Sequence, residues 1–397
     1  MIIVLSNALA WSAIPDPERN LMTRLPRPDR PGRVPVSVLA TTDPVLRELA
    51  ILDLLVDAPR TVVLRHDLHV DDGELHRVVL DGTAVLADER IPLAHACLSC
   101  SVREDAIPTI DRLTRDGRWD AVVLALPVTA ESLPAARALA WATRPAGGEL
   151  RRARLASVAC VAEAARLEHD LLDDDTLDER GLALHADDDR SLGEAVAAQV
   201  EHADVVVLAE PVEDDATRAE VRGSQLVDHL RGPGTARIDG LTHLTSSALA
   251  SRRHDARLAD HRSDPLHAHV HPGQGDVWSL ELTSDRPFHP ERLVEQIEQL
   301  GAGRIRGRGV FWVPNRPDTV CVWDGAGGQL HVGTNGRWGR RARRTRLVLT
   351  GVGDERTALA QAFDEVLATP AEAADGGLAW LGRDDVLAPW LGDRADA

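Results

Sequence analysis

Cys97 and Cys100 lie in the run His95-Ala96-Cys97-Leu98-Ser99-Cys100-Ser101-Val102-Arg103-Glu104-Asp105, the segment whose residue types speak most directly of chemistry. A C-x-x-C turn can place two thiolates on one tetrahedral Zn²⁺. His95, Glu104 or a distant histidine would then complete the set. The same spacing at the start of a helix suits a redox-active dithiol, but that motif follows the first strand of a thioredoxin fold, and the order of elements here does not fit. Structural thiols are the third reading, and a single pair leaves all three open. Cys160 and Cys321 sit in the apolar runs SVACVA and TVCVW and read as core thiols. His267, His269 and His271 alternate, with His254 and His261 before them. In an extended segment such alternation turns the rings to one side, where they could bind a metal; the plainer reading is a solvated polar linker.

Phosphate chemistry is marked by what is missing. A phosphate-binding loop needs glycines in the turn after the first strand, a lysine for the β and γ phosphates, and a Ser or Thr for Mg²⁺. Here PVSVL runs into Ala40-Thr41-Thr42-Asp43-Pro44-Val45-Leu46-Arg47, with no glycine. The chain has no lysine at all: its 45 basic residues are all arginine. Pro44 removes an N–H donor, Asp43 repels phosphate, and Arg47 cannot supply a compact ammonium. After DVVVL, where an Asn-Lys-x-Asp segment would read guanine, stand Ala209-Glu210-Pro211-Val212. After AVVLAL, where an acid would orient metal or water, stand Pro127-Val128-Thr129, with Glu131 displaced. Three departures at three independent places argue against GTP as a cofactor and against GTP hydrolysis.

The arginines form a possible anion surface. Arg304, Arg306 and Arg308 alternate on an expected strand and so share one face. Arg337, Arg340, Arg341, Arg343, Arg344 and Arg346 follow, interleaved with Trp338. In a chain of net charge −18 such a cluster reads as a local phosphate footprint, or as a solvated face balancing acidic neighbours. The acidic balance argues against coating DNA.

These residues need a scaffold, and 397 residues suffice for two or three cores. Residues 1–33 read as a tail or a mis-assigned start, with Met22 as the expected natural beginning. Residues 34–240 alternate apolar strands with amphipathic helices: strands at 34–39, 61–64, 121–126, 155–161 and 204–208, and helices after Asp43 and at 104–115, 131–142 and 190–201. This is an α/β pattern with a parallel sheet covered on both faces. Residues 241–275 read as a His-containing linker and 276–368 as a smaller α+β domain. An acidic, loosely ordered tail is expected at 369–397. Phe288, Pro290 and Trp312 read as core or turn residues, and His289 as a helix cap. No run approaches a membrane span, and four cysteines are no disulfide framework, so the expected location is the cytoplasm.

Taken in order, VPVSVL, HACLSCSVREDAIPTI, QVEHADVVVLAEP, RPFHPERL and GRIRGRGVFWVPNRPD resemble the CobW-type metallochaperone GTPase family, from Val34 to Gly336. The family motif Gly-Cys-x-Cys-Cys is met here by Ala96, Cys97, Ser99 and Cys100, so its glycine and middle cysteine are replaced. The departures look like those of the actinobacterial ribosome hibernation factor-recruiting branch. That resemblance implies a P-loop-GTPase-like sheet with a degenerate nucleotide site and a CobW C-terminal-type domain. It further implies a zinc-responsive adaptor bringing a hibernation factor to the small ribosomal subunit. The alternative is a metallochaperone that binds GTP and delivers zinc or cobalt.

Overall fold

A computed structural model describes residues 32–93, 95, 97–209, 217–273, 275–380 and 383–392. They fall into two compact units, one within residues 29–171 and 175–263, the other including 264–397.

The first unit opens with β1 (Val34–Thr41) and α1 (Pro44–Asp57), followed by β2 (Thr61–His69), β3 (Glu74–Leu80) and β4 (Val85–Pro92). A continuous helical stretch comes next: α2 (Leu98–Ser101), a π turn (Val102–Ala106) and α3 (Ile107–Asp116). Then follow β5 (Ala121–Ala125), α4 (Ser132–Ala142), β6 (Ala153–Glu163), α5 (Ala164–Leu172), α6 (Leu192–His202) and β7 (Val205–Ala209). The unit ends with α7 (Arg218–Leu230), β8 (Ala236–Asp239), α8 (Ser246–Ala250) and α9 (Ala256–Ser263).

The sheet order is β4-β3-β2-β5-β1-β6-β7-β8. Strands β2, β5, β1, β6, β7 and β8 are parallel, and β3 and β4 extend the sheet antiparallel. Alternation along each strand feeds two cores. Val36, Val38, Val122 and Leu124 pack with Ile107, Ile110 and Leu139 on one face. Leu39, Val123, Val161 and Val207 pack with Leu46, Ile51 and Leu54 of α1 on the other. Burial of both faces explains why these strands read as unbroken apolar runs. The layout is the parallel-rich α/β sheet expected from the alternation of apolar strands and amphipathic helices.

In the second unit, β9 (Val277–Ser284), α10 (Pro290–Gly301), β10 (Ile305–Phe311), β11 (Thr319–Ala326), β12 (Gln329–Arg337) and β13 (Thr345–Val352) precede α11 (Arg356–Val366), α12 (Pro370–Asp375) and α13 (Ala388–Leu391). The five strands form an antiparallel sheet in the order β12-β11-β10-β13-β9. One face carries a core of Phe288, Leu293, Ile297, Phe311, Trp323, Leu349 and Phe363. Phe288 lies 5.3 Å from Phe311 and 5.5 Å from Phe363, ring centre to ring centre, so it is a core residue as expected. His289 caps α10, accepting the Arg292 N–H.

Two segments differ from expectation. Residues 241–263 are not linker: Leu244 and Leu249 pack into the first unit's core. Their polar character is internal, because His254 and Arg262 both bind Asp204, at 2.7 and 2.9 Å. The expected loose tail is ordered through Gly392 among the described residues: Leu387 is fully buried, and Asp385 binds Arg316 Nε at 2.7 Å. Among the described residues no helix is long and apolar enough to cross a membrane.

Candidate functional site

The turn from β1 to α1 is where the sheet would present a phosphate loop. Thr41, Thr42 and Asp43 make it, and its donors are used internally. Asp43 Oδ1 accepts the N–H groups of Val45 and Leu46, at 2.7 and 3.0 Å. Pro44 has no N–H, and the Asp43 N–H goes to Thr41 Oγ1 at 3.1 Å. The helix start therefore spends on its own cap the donors that would cradle an anion. Thr41 O accepts from Thr129 N at 3.0 Å and from Gln199 Nε2 at 3.3 Å. Beside the turn lies a crevice of about 10 Å³, lined in part by Thr41, Asp43, Glu163, Arg166 and Asp170. That is the space of about one water molecule. Three of these groups are carboxylates, and Arg166 lies 3.7 Å from Asp43 and 3.9 Å from Asp170. Burial raises the Asp170 carboxyl above its ordinary value, against the pull of Arg166 and Arg180. Arg47 is buried and engaged by Asp67 at 2.6 Å and by Leu126 O at 3.4 Å.

Thr129, after β5, has φ 67° and is fully buried. A β-branched residue is costly in this left-handed region. Its Oγ1 donates to Leu182 O at 3.0 Å while its N–H holds Thr41 O, so both ends of the strained residue are tied. Glu131 sits at the start of α4, 3.7 Å from Arg190. Glu210, Pro211 and Val212, the guanine-reading position, lie outside the described residues.

Cys97 and Cys100 open the α2 stretch, so the helix starts earlier than the expected residue 104. Cys97 is the N-cap and is exposed; Cys100 is buried. Cys97 Sγ accepts the Cys100 N–H at 3.4 Å. The Cys100 thiol is pushed above its ordinary value, first by its hydrogen bond to Cys97 and then by burial, while Arg103 opposes the shift. The His95 carbonyl accepts the Cys97 N–H at 2.9 Å, and its side chain is exposed, as is that of Glu104. The two sulfurs fit half of a tetrahedral zinc site. Among the described residues no three His, Cys, Asp or Glu side chains converge on one metal position, so His95 and Glu104 do not complete the set as it stands.

Behind the cysteines is a buried network that sequence reasoning missed. Asp105, on the π turn, accepts from Arg77 Nη1 of β3 and pairs with His66 Nε2 of β2 at 3.0 Å. Arg77 also reaches Glu89 and, at 3.1 Å, Thr109 Oγ1. The sequence signal was faint: Arg103-Glu104-Asp105 read as the charged opening of a helix. A π turn re-aims one residue inward, and such turns recur at functional sites.

The three linker histidines do not lie in one regular extended run. His267 ends a 3₁₀ turn (Pro265–His267), which breaks the extended alternation. It is half-exposed, with Nε2 4.0 Å from Asp264. His269 has its ring held below its usual value by burial and then by the charge of His271.

The arginines divide into two groups. Arg306 and Arg308 share a face of β10 as expected, but that strand is central and the face is covered, so both are buried. Arg306 donates to Asp324 and, at 3.1 Å, to Gly307 O and Gly325 O. Burial pushes the Asp324 carboxyl up, but the adjacent Arg306 and Arg308 outweigh it and hold the group below its ordinary value. These two arginines are structural counter-charges rather than a footprint, and Arg304, ahead of the strand, is exposed. The loop from β12 to β13 is different: Arg340, Arg341, Arg343 and Arg344 are all exposed. It is anchored by buried Trp338, which packs with Leu266, Val310 and Val320. Arg341 Nη2 caps Arg337 O at 2.9 Å, and Arg343 lies over the Trp312 ring at 5.7 Å.

Comparison with known proteins adds to this geometry. Residues 277–367 match the family model of the cobalamin synthesis protein cobW C-terminal domain. A zinc chaperone of Mycobacterium tuberculosis is 28% identical over 295 residues, covering 70% of this chain and 68% of that protein. The zinc chaperone CobW of a Sinorhizobium species is 24% identical, covering 68% and 78% respectively. Zinc-regulated GTPase metalloprotein activator 1 of Dictyostelium discoideum is 22% identical, covering 62% and 54%. Among solved structures, the Zn(II)-bound YjiA GTPase from E. coli aligns with 84% of this chain and 99% of its own, at 13% identity and a TM-score of 0.35. Residues 277–367 thus match a CobW C-terminal domain, following an α/β domain in a chain similar to zinc chaperones of the CobW kind.

Proposed function

We propose that this chain is a zinc-responsive adaptor of the CobW type that does not hydrolyse GTP and brings a ribosome hibernation factor to the small ribosomal subunit. The observation that carries the first half is the self-capped turn at Asp43. Its N–H donors are occupied, its crevice has room for about one water, and its lining is acidic. A triphosphate would have to displace the cap and meet carboxylates instead of a lysine. The second half is supported by the exposed arginine loop at 340–344, the kind of surface that meets RNA phosphates. Zinc, when bound, would be held by Cys97 and Cys100 with further ligands from outside the pair, and its charge would tie down the start of α2.

The test is co-sedimentation with ribosomal particles from zinc-replete and zinc-depleted extracts. The adaptor reading expects migration with the small subunit, stronger without zinc, and lost when Arg340, Arg341, Arg343 and Arg344 are replaced together. Absence from every ribosomal fraction would overturn it.

A second reading, a zinc-delivering chaperone that binds GTP, is favoured by relatives named zinc chaperones and a zinc-regulated GTPase activator. It requires at least about micromolar nucleotide affinity, a free energy near −8 kcal/mol, which fluorescence titration would read directly.

A further inference from the structure

We propose that Cys97 and Cys100 are an oxidisable pair that closes to a disulfide on exposure to a peroxide, and that closure releases the zinc held by the reduced thiols. The second half rests on the pair being the zinc ligands; the first does not.

The two sulfurs differ in the way an attacking and a resolving thiol must. Cys97 is exposed and can meet an oxidant, whereas Cys100 is buried in the first turn of the helix that Cys97 caps. Cys97 Sγ accepts the Cys100 N–H at 3.4 Å, which holds the first sulfur against the residue that carries the second. Arg103 Nη2 stands 3.9 Å from Cys100 Sγ, a cation beside the thiol that must lose its proton. The backbone holds this arrangement: Ser101 N donates to Cys97 O at 2.9 Å and Ser101 Oγ to Leu98 O at 2.8 Å. Cys160 and Cys321 supply the contrast, both buried, with thiols pushed up to about 12.

The chemistry balances with hydrogen peroxide as oxidant. The Cys97 thiolate attacks one peroxide oxygen, an S–O bond forms, the O–O bond breaks, and hydroxide leaves. The Cys100 sulfur then attacks the sulfenic sulfur. An S–S bond forms, the S–O bond breaks, and the departing hydroxide takes up the thiol proton as water. Two thiols and one peroxide give one disulfide and two waters, a two-electron oxidation that ends below the irreversible sulfinic state. A disulfide offers no thiolate to a metal.

The experiment treats the reduced, metal-free full chain with hydrogen peroxide, then unfolds, alkylates and digests it with trypsin. Residues 91–103 form one tryptic segment holding both cysteines. The expected product is that segment without alkyl groups and two hydrogens lighter, with Cys160 and Cys321 still alkylated. Cys100→Ser should stop at a sulfenic acid on Cys97 that dimedone traps, and Cys97→Ser should leave the segment unoxidised. A segment bearing both alkyl groups, added oxygens, or a link to a second chain would overturn the disulfide. In a parallel arm the zinc-loaded chain is oxidised and released zinc is read with a chromogenic chelator, one ion expected per disulfide. A reduced chain that retains no zinc refutes the zinc half and the metal reading together, while the peptide masses decide the disulfide on their own.

Discussion

Asp43 Oδ1 stands 2.7 Å from the backbone nitrogen of Val45, so the carboxylate occupies the place at the head of α1 where a bound anion would have to sit. Replacing Asp43 with alanine frees the Val45 and Leu46 donors. The expected cost is about 1 kcal/mol of stability, as for other N-caps. Nucleotide affinity should stay undetectable, since Pro44, Glu163 and Asp170 remain. Urea denaturation and titration with a fluorescent GTP analogue check the two halves.

Thr129 tests the tie between β5 and the β1–α1 turn. Thr129→Gly relieves about 1–2 kcal/mol of left-handed strain. It also forfeits the hydrogen bond to Leu182 O, worth about 1 kcal/mol, so the net change should be small. Thr129→Val keeps the strain and loses the same hydrogen bond to Leu182 O. It should be less stable than Thr129→Gly by about 1–2 kcal/mol, read from paired denaturation midpoints.

His202 governs stability below neutrality. Burial, and then the charge of His254, lower its folded value to about 3, from 6.5. Its Nδ1 lies 2.7 Å from Ser132 Oγ in a fully enclosed site. The folded state therefore holds the ring neutral while the unfolded chain takes up a proton. Stability from this group is complete above pH 6.5 and declines as pH falls from 6.5 toward 3. Within that window the slope approaches about 1.4 kcal/mol per pH unit. Urea midpoints between pH 7 and pH 5 should show the decline in the native chain, and His202→Gln should flatten it.

The two arginine groups should separate cleanly. Arg306→Ala leaves Asp324 without its closest cation and removes the donor shared by Gly307 O and Gly325 O, at an expected cost of about 1–3 kcal/mol. Arg340→Ala and Arg344→Ala should change stability by less than about 0.5 kcal/mol. If the loop engages RNA, each loop substitution should also shallow the salt dependence of particle binding by about one unit of log–log slope. Chemical denaturation and sedimentation across a salt series distinguish the groups.

The fold was legible where burial is two-sided. VPVSVL, AVVLAL and DVVVL announce parallel strands because both faces of the sheet are covered, so no polar alternation interrupts them. Helix α7 was not among the expected helices, and Gly223 sits in its middle. In the structure a Cβ there would come within 1.9 Å of Ala164 O, so the glycine serves close packing of α7 against α5. Residues 241–263 looked like a solvated linker because sequence does not reveal that His254 and Arg262 meet Asp204, some fifty residues away. The Arg306/Arg308 alternation was correctly assigned to one face. What covers that face depends on tertiary structure, and it turned an expected surface into an interior. The cysteine pair was legible as a motif, but Asp105 behind it was not, since its inward aim comes from a π turn.

Every cation in the β12–β13 loop is a guanidinium, in a chain that has no lysine. Acetylation, which silences basic patches elsewhere by neutralising ammonium groups, has no purchase here. The loop's positive charge is permanent over the whole physiological pH range, so a cell that wished to detach this surface would have to alter the ions around it or the molecule it grips.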